Sequence, residues 1–433
     1  MPVDQSGCQR SKFVISDDVD FGAVQVLPQC LRRFEINSML GQIGRTFFGV
    51  EFKHELLWYE KGIISSPSLA PLSPRGHGAE MADLSIPNTK LSTNPAPSGK
   101  LADLMARGTA FLGSEVAIMC GAMSWISERH LVSAISNAGG FGLIACGAMT
   151  PELLDTEIAE TKKRTTKPFG VNLITMHPML MELIDVCARH QVTHIVLAGG
   201  LPPTGSLDAI KASGAKVICF APALSLAKKL IRSGVDALVI EGMEAGGHIG
   251  PVSTSVLAQE ILPEVAQQVP VFVAGGIGRG EAIAAYLEMG AAGVQLGTRF
   301  ACATESIAHP NFKKAFFRAS ARDAVSSVQV DPRLPVIPVR ALKNAGTELF
   351  TAKQLEVARA LDEGGLPMIE AQLQIEHYWA GALRRAVIDG DVENGSLMAG
   401  QSVGMVKAEE PVADIIAMLM HEADTALTTR VQY

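Results

Sequence analysis

Short apolar runs and longer amphipathic stretches alternate along most of this chain, and that alternation predicts its architecture. From Val116 onward the runs recur every roughly 20 to 30 residues, the spacing of repeated βα units. Eight are candidate strands: Val116–Met119, Phe141–Ala145, Phe169–Ile174, Thr193–Leu197, Lys216–Phe220, Ala237–Ile240, Val271–Ala274 and Gly293–Leu296. Helical patterns fill the gaps. Leu224–Ser233 follows Pro222 and stops at Gly234, and Gly280–Met289 stops at Gly290. Eight such units in series, with no block of strands or helices alone, predict an α/β fold of the (β/α)8 TIM-barrel type, with an open doubly wound sheet as the alternative.

The pattern is different at both ends. Gly62 to Lys100 is dense in Ser, Pro, Gly and Asn, with six prolines from Pro67 to Pro97. Residues 1–105 therefore read as a largely disordered N-terminal extension, and Met81 offers a second place for the chain to start. Residues 106–305 form the barrel core. Residues 306–433 read as a helical C-terminal region packed on it, with His309–Ala321 and Ala352–Leu361 as candidate helices.

Composition narrows the functional classes. Aromatics are scarce at 5% and glycines number 41 among 433 residues, which suits strands buried on both faces and tight βα turns. The net charge of −7 is mild and no Lys/Arg run follows a phosphate backbone or an anionic bilayer, so neither nucleic acid nor membrane is an expected partner. The seven cysteines form no C-x-x-C pair, which predicts reduced thiols, no disulfide and no metal site. No basic n-region precedes an apolar stretch and no run approaches the roughly 18 apolar residues of a membrane span, so a cytoplasmic location is expected.

Barrel chemistry belongs to the loops after the strands. Three of them are rich in glycine: Glu241-Gly-Met-Glu-Ala-Gly-Gly-His-Ile-Gly250 after the sixth strand, Gly275-Gly-Ile-Gly278 after the seventh and Gly297-Thr-Arg299 after the eighth. Glycine lets backbone N–H groups approach an anion, and late barrel loops often hold phosphate; tight turns need glycine too, but two such loops on adjacent strands favour a phosphorylated ligand. His248 follows a strand end in the first of these loops and suits general acid or base work near neutral pH. His130, His177, His190, His194 and His309 sit where a structural or solvated role is expected. Asn172 and Gln295 are polar residues inside strand runs, where each needs a partner, either another barrel group or the polar ring edge of a cofactor. No G-x-S-x-G elbow, Walker loop or H-E-x-x-H helix is present, which removes the common hydrolases and nucleotide kinases. A non-catalytic binding or regulatory barrel would have no use for His248, and an isomerase or lyase acting on a sugar phosphate would have none for Asn172.

Seven segments occur in the order in which they stand in the nitronate monooxygenase (2-nitropropane dioxygenase) family of FMN-dependent barrels. They are Gly121-Ala-Met-Ser-Trp-Ile126, Ser136-Asn-Ala-Gly-Gly-Phe-Gly142, Lys167-Pro-Phe-Gly-Val-Asn172, Glu241 to Gly250, Ala274-Gly-Gly-Ile277, Gln295-Leu-Gly-Thr-Arg-Phe300 and Gly395-Ser-Leu-Met-Ala-Gly-Gln401. The resemblance covers most of residues 114 to 410. It leans to the enoyl-acyl-carrier-protein reductase II branch, through Glu241 where many nitronate monooxygenases carry glutamine and through the Gly395–Gln401 segment. Cys120 departs from it, standing where those reductases carry glutamine.

The resemblance implies FMN across the barrel mouth. Ala122 and Met123 would lie near the isoalloxazine ring, and Asn172 and Glu241 at its polar edge or the ribityl chain. Gly246, Gly247, Gly275, Gly276, Gln295, Gly297 and Thr298 would surround the ribityl phosphate region, with His248 beside the flavin as the catalytic residue. Two reactions follow from it: reduction of an enoyl thioester by NADH or NADPH, or oxidation of an alkyl nitronate with O2. Candidate partners are a small molecule or acyl-thioester substrate, an acyl carrier protein, and a second copy of the chain in a homodimer.

Overall fold

In a computed structural model, the structure describes residues 99–147, 149–334 and 338–430. The expected extension over 1–105 therefore lies, up to residue 98, outside the described residues. Eight strands form one parallel sheet: β1 (Ile118–Cys120), β2 (Gly142–Ala145), β3 (Phe169–Ile174), β4 (His194–Ala198), β5 (Lys216–Phe220), β6 (Ala237–Glu241), β7 (Val271–Ala274) and β8 (Gly293–Leu296). Each pairs with its sequence neighbour, and β8 pairs back with β1. The remaining gap closes at a parallel bridge between Met119 and Phe141. There Cys120 N donates to Phe141 O, and Phe141 N to Ile118 O, both at 2.9 Å. The sheet is a closed barrel, and the open-sheet alternative falls. Its strands are almost wholly buried aliphatic residues, as both faces demand, one toward the barrel axis and one toward the helices.

The connecting helices start and stop where local chemistry requires. Glu128 caps Arg129–Asn137 by accepting from His130 N and Leu131 N, and Thr150 caps Pro151–Arg164 with proline in its first turn. Leu224–Arg232 and Gly280–Glu288 run into Gly234 and Gly290, both in the left-handed region.

The helix Gly99–Leu112 seals the floor of the barrel. The Phe111 carbonyl accepts from Lys216 Nζ at 2.6 Å and lies 2.9 Å from His194 Nε2, so one main-chain oxygen serves polar side chains at the starts of β4 and β5. The Phe111 ring meets the His194 ring edge-on. Burial drives the His194 imidazole down to about 4, which keeps it neutral in this floor.

The C-terminal region is not purely helical, as its pattern suggested. Between the helices Pro310–Arg318 and Ala345–Asp362 lie two short strands, Ala324–Ser326 and Val339–Leu342. They form an antiparallel sheet with Gly247–His248 from the loop after β6. Strands of two to four residues are too short to show a period, and the partner lies some ninety residues away. Ala345–Asp362 and Met368–Arg384 share a small core of Leu334, Phe350, Val357, Ala371 and Ile375. The last helix, Val412–Arg430, lies on Gly280–Glu288, where Glu422 accepts from Gly280 N at 2.7 Å.

Gly108 lies where a Cβ would run into the Ala292 carbonyl and the Ala117 side chain. In an exposed helix Gly→Ala gains about 1 kcal/mol. Gly108→Ala is expected instead to cost about 1–3 kcal/mol through overpacking. Urea denaturation reads the difference, and a stabilised variant would show that the helix is not seated on the floor as described.

Candidate active site

The C-terminal ends of β6, β7, β8 and β1 set one row of side chains. Glu241 pairs with Ala274, Ala274 with Gln295, and Gln295 with Met119, so the four are register partners on one face of the sheet. The small Ala274 leaves room between Glu241 and Gln295. Gln295 is buried, and its Oε1 has no hydrogen-bond partner among the described residues. Such an acceptor is costly unless a donor reaches it. Glu241 is half-buried, and desolvation pushes its carboxyl up to about 8, so it is mostly protonated at neutral pH.

The loop after β6 is folded by contacts that sequence reasoning missed. Glu244 Oε2 accepts from both Thr254 N and Thr254 Oγ1, at 2.8 and 2.9 Å, and the same hydroxyl lies 3.1 Å from Gly275 O. Thr254 thereby ties this loop to the one after β7. Gly242 lacks a side chain because Thr254 occupies that space. Met243 N donates to Val252 O at 2.8 Å and closes the base of the loop. Glu244 was visible three residues after Glu241, but nothing in the pattern showed that it would face inward.

His248 stands at the far end of this loop, in register with Val339 of the tail sheet, and Ile249 N donates to Pro338 O at 2.9 Å. The residue is open to solvent. Desolvation lowers its pKa, so the neutral imidazole prevails at neutral pH.

The glycines divide by cause. Gly275 and Gly276 are consecutive left-handed residues at φ +97° and +73°, and a Cβ on them would meet Thr254 and Gly242, or Glu244. Gly246 is bare because the backbone of Ala399 and Gly400 crosses it. The Gly395–Gln401 segment thus enters the mouth itself: Gln401 N donates to Glu244 O, and Gly400 N to Thr298 Oγ1, each at 2.9 Å. Gly247, at φ +78°, turns the chain toward His248.

Met123 and Gly297 are neighbours, since a Cβ on Gly297 would lie 3.5 Å from the Met123 sulfur. Ala122 and Met123 are half-buried in a loop held by Ser127, whose hydroxyl donates to Gly121 O at 2.9 Å and accepts from Met123 N at 3.1 Å. The structure therefore gathers Met123, Glu241, Gly275, Gly276, Gln295, Gly297 and Thr298 on four adjacent strand ends, with the His248 loop rising from one of them. Asn172 stands apart on β3, where its Nδ2 donates to Val196 O at 3.2 Å, so one donor of that amide serves the barrel. Among the described residues no cluster of His, Cys, Asp and Glu could hold a metal ion, and no helix is long and apolar enough to cross a membrane.

Comparison with known proteins places this geometry. The family model for nitronate monooxygenase matches residues 106–193 and 181–422. A Mycobacterium tuberculosis (3aS,4S,5R,7aS)-5-hydroxy-7a-methyl-1-oxo-octahydro-1H-indene-4-carboxyl-CoA dehydrogenase is 32% identical over 350 residues, covering 74% of this chain and 96% of that protein. A nitronate monooxygenase of Paraburkholderia phytofirmans is 27% identical over 360 residues, covering 72% and 93%. Among solved structures, FabK from Thermotoga maritima aligns with a TM-score of 0.68 at 37% identity, over 76% of this chain and 98% of FabK.

The raised Glu241 carboxyl has a consequence for stability. Between its ordinary value of 4.5 and about 8 the folded protein holds a proton that the unfolded chain has released, so stability falls as pH rises through that window. Glu241→Gln removes this titration. In cofactor-free protein the variant is expected to melt at a higher temperature than the parent near pH 7.5, with a shallower decline between about pH 5 and 8. Thermal scans across pH at constant ionic strength test this, and identical slopes in the two proteins would show that the carboxyl is ionised in the fold.

Proposed function

Since this chain belongs to the nitronate monooxygenase family, we propose that it is an FMN-dependent oxidoreductase that reduces enoyl thioesters with electrons from NADH or NADPH. The observation that carries this reading is the row Glu241–Ala274–Gln295 with the neutral His248 on the adjoining loop, in a chain 37% identical to FabK. The carboxyl-CoA in the name of the Mycobacterium tuberculosis relative supports a thioester as the substrate class, carried on coenzyme A or on acyl carrier protein.

The residues present fit FMN. The unpartnered Gln295 Oε1 suits an N–H donor on the ring. The protonated Glu241 donates from its carboxyl O–H to a ring acceptor, which an ionised glutamate could not do. Gly275, Gly276 and Gly297 keep side chains away from the phosphate, and the Thr298 hydroxyl, already accepting from Gly400 N, keeps its proton to donate. Ala122 and Met123 would lie beside the ring, Asn172 would offer it the amide oxygen left free on β3, and Gly246 and Gly247 would shape the adjoining loop. FMN, when bound, supplies hydride transfer between the nicotinamide and the substrate β-carbon. His248 as a neutral imidazole would donate its one N–H to the thioester carbonyl, and the proton that the α-carbon acquires would come from solvent, which reaches this residue.

The likeness to the Paraburkholderia phytofirmans enzyme favours a second reading, oxidation of an alkyl nitronate with FMN and O2, in which His248 serves as base or stabilises the anion.

Anaerobic stopped-flow spectroscopy separates the two. The flavin is expected to bleach rapidly with NADH or NADPH and to recover its colour with crotonyl thioester, whereas bleaching by a nitronate alone would sink the reductase reading. His248→Ala is expected to retain FMN and to lose turnover by on the order of 10²-fold, and full activity in that variant would remove the histidine from the mechanism.

A further inference from the structure

Arg340 lies buried in the tail strand Val339–Leu342, where all four residues are buried. A guanidinium in such a place loses its hydration, and that loss lowers its pKa. Among the described residues no carboxylate lies within ion-pair distance of it, and the charge of Glu244 nearby offsets the lowering only in part. Its hydrogen bonds go to two main-chain carbonyls: Nε donates to Met243 O at 2.8 Å and Nη1 to Ala324 O at 2.6 Å. An apolar side chain would fill the site without the desolvation penalty, so the arginine is explained by what its planar fork joins.

What it joins is the loop of the reactive histidine. Met243 stands at the root of that loop, where its own N–H is already bonded to Val252 O. The Arg340 backbone is in register with Gly247, and its neighbour Val339 with His248. Ala324 belongs to the other edge of the same three-stranded sheet. The Arg340 carbonyl accepts from Ala399 N at 3.3 Å, in the segment that crosses Gly246. Gly246 and Gly247 have no side chains with which to hold themselves, so the geometry of His248 is set from outside its loop.

We infer that Arg340 is a positioning residue for His248, its guanidinium clamping the root of the histidine loop to the tail sheet that carries the imidazole. The inference rests on the proposed role of His248, and its test keeps the two apart. Arg340→Met, Arg340→Lys, His248→Ala and the double variant Arg340→Met/His248→Ala are compared as FMN-loaded proteins, with FMN affinity, KM and kcat measured for each.

Arg340→Met is expected to bind FMN within about threefold of the parent, to keep its KM and to lose kcat by on the order of 10-fold or more, the signature of an interaction that matters in the transition state. Arg340→Lys, which keeps one charged donor, recovers part of that loss. Arg340→Met/His248→Ala turns over no more slowly than His248→Ala, because a residue that acts through the histidine has nothing left to position.

Additive losses in the double variant, a parental kcat in Arg340→Met, or a loss confined to FMN affinity would each overturn the inference. If Arg340→Met does not fold, the same cycle run with Arg340→Lys decides. A His248→Ala variant as active as the parent would overturn the reading of the histidine, whatever Arg340 does.

Discussion

Closure of the parallel ladder between Met119 and Phe141 is the constraint on which the other features depend. A parallel sheet that closes has all its strand C-termini at one mouth, and their loops face one another across it. Closure also sets the register, which brings Glu241, Ala274 and Gln295 onto one face although more than fifty residues separate the first from the last. The floor is finished by residues with no part in the mouth: Phe111 from the helix Gly99–Leu112 takes up the polar ends of His194 and Lys216.

The mouth is completed by chain that lies outside the βα repeat. The strand Val339–Leu342 pairs with Gly247–His248, and the segment around Gly400 crosses Gly246 and reaches Thr298. Two stretches of the C-terminal region thus hold the glycine-rich loop after β6 from two sides. A loop with three glycines between Gly242 and Gly247 would otherwise sample many conformations, at an entropic cost to any ordered site. Two ion pairs, in which the buried Arg299 and Lys313 reach the more exposed Glu410 and Glu409, fasten the chain after the last barrel strand to the chain that leads into the last helix.

Desolvation holds the Glu241 carboxyl, an ion in water at neutral pH, toward its protonated form and biases the His248 imidazole further toward its uncharged form, so both can serve as hydrogen-bonding groups without a charge of their own.

Much of this was legible in the sequence. All eight strands lay within a residue or two of their positions because buried parallel strands are continuous aliphatic runs, and the glycines of the late loops marked the mouth because glycine reaches the positive φ of Gly275 and Gly276 without the strain a side chain brings. Gln295 could be picked out as a polar residue inside a strand run, His248 as the histidine of a glycine-rich loop, and Glu241 through the family resemblance. The sequence could not show that Gly246 is bare for the sake of Ala399 and Gly400, that Glu244 and Thr254 stitch two loops together, or that Arg340 grips Met243. Those contacts join residues from ten to more than a hundred and fifty positions apart, through hydrogen bonds and close approaches that leave no period in the chain. Local pattern determines which segments become strands, helices and turns; only the closed tertiary structure decides which distant side chains share a face, because register and packing are properties of the whole barrel.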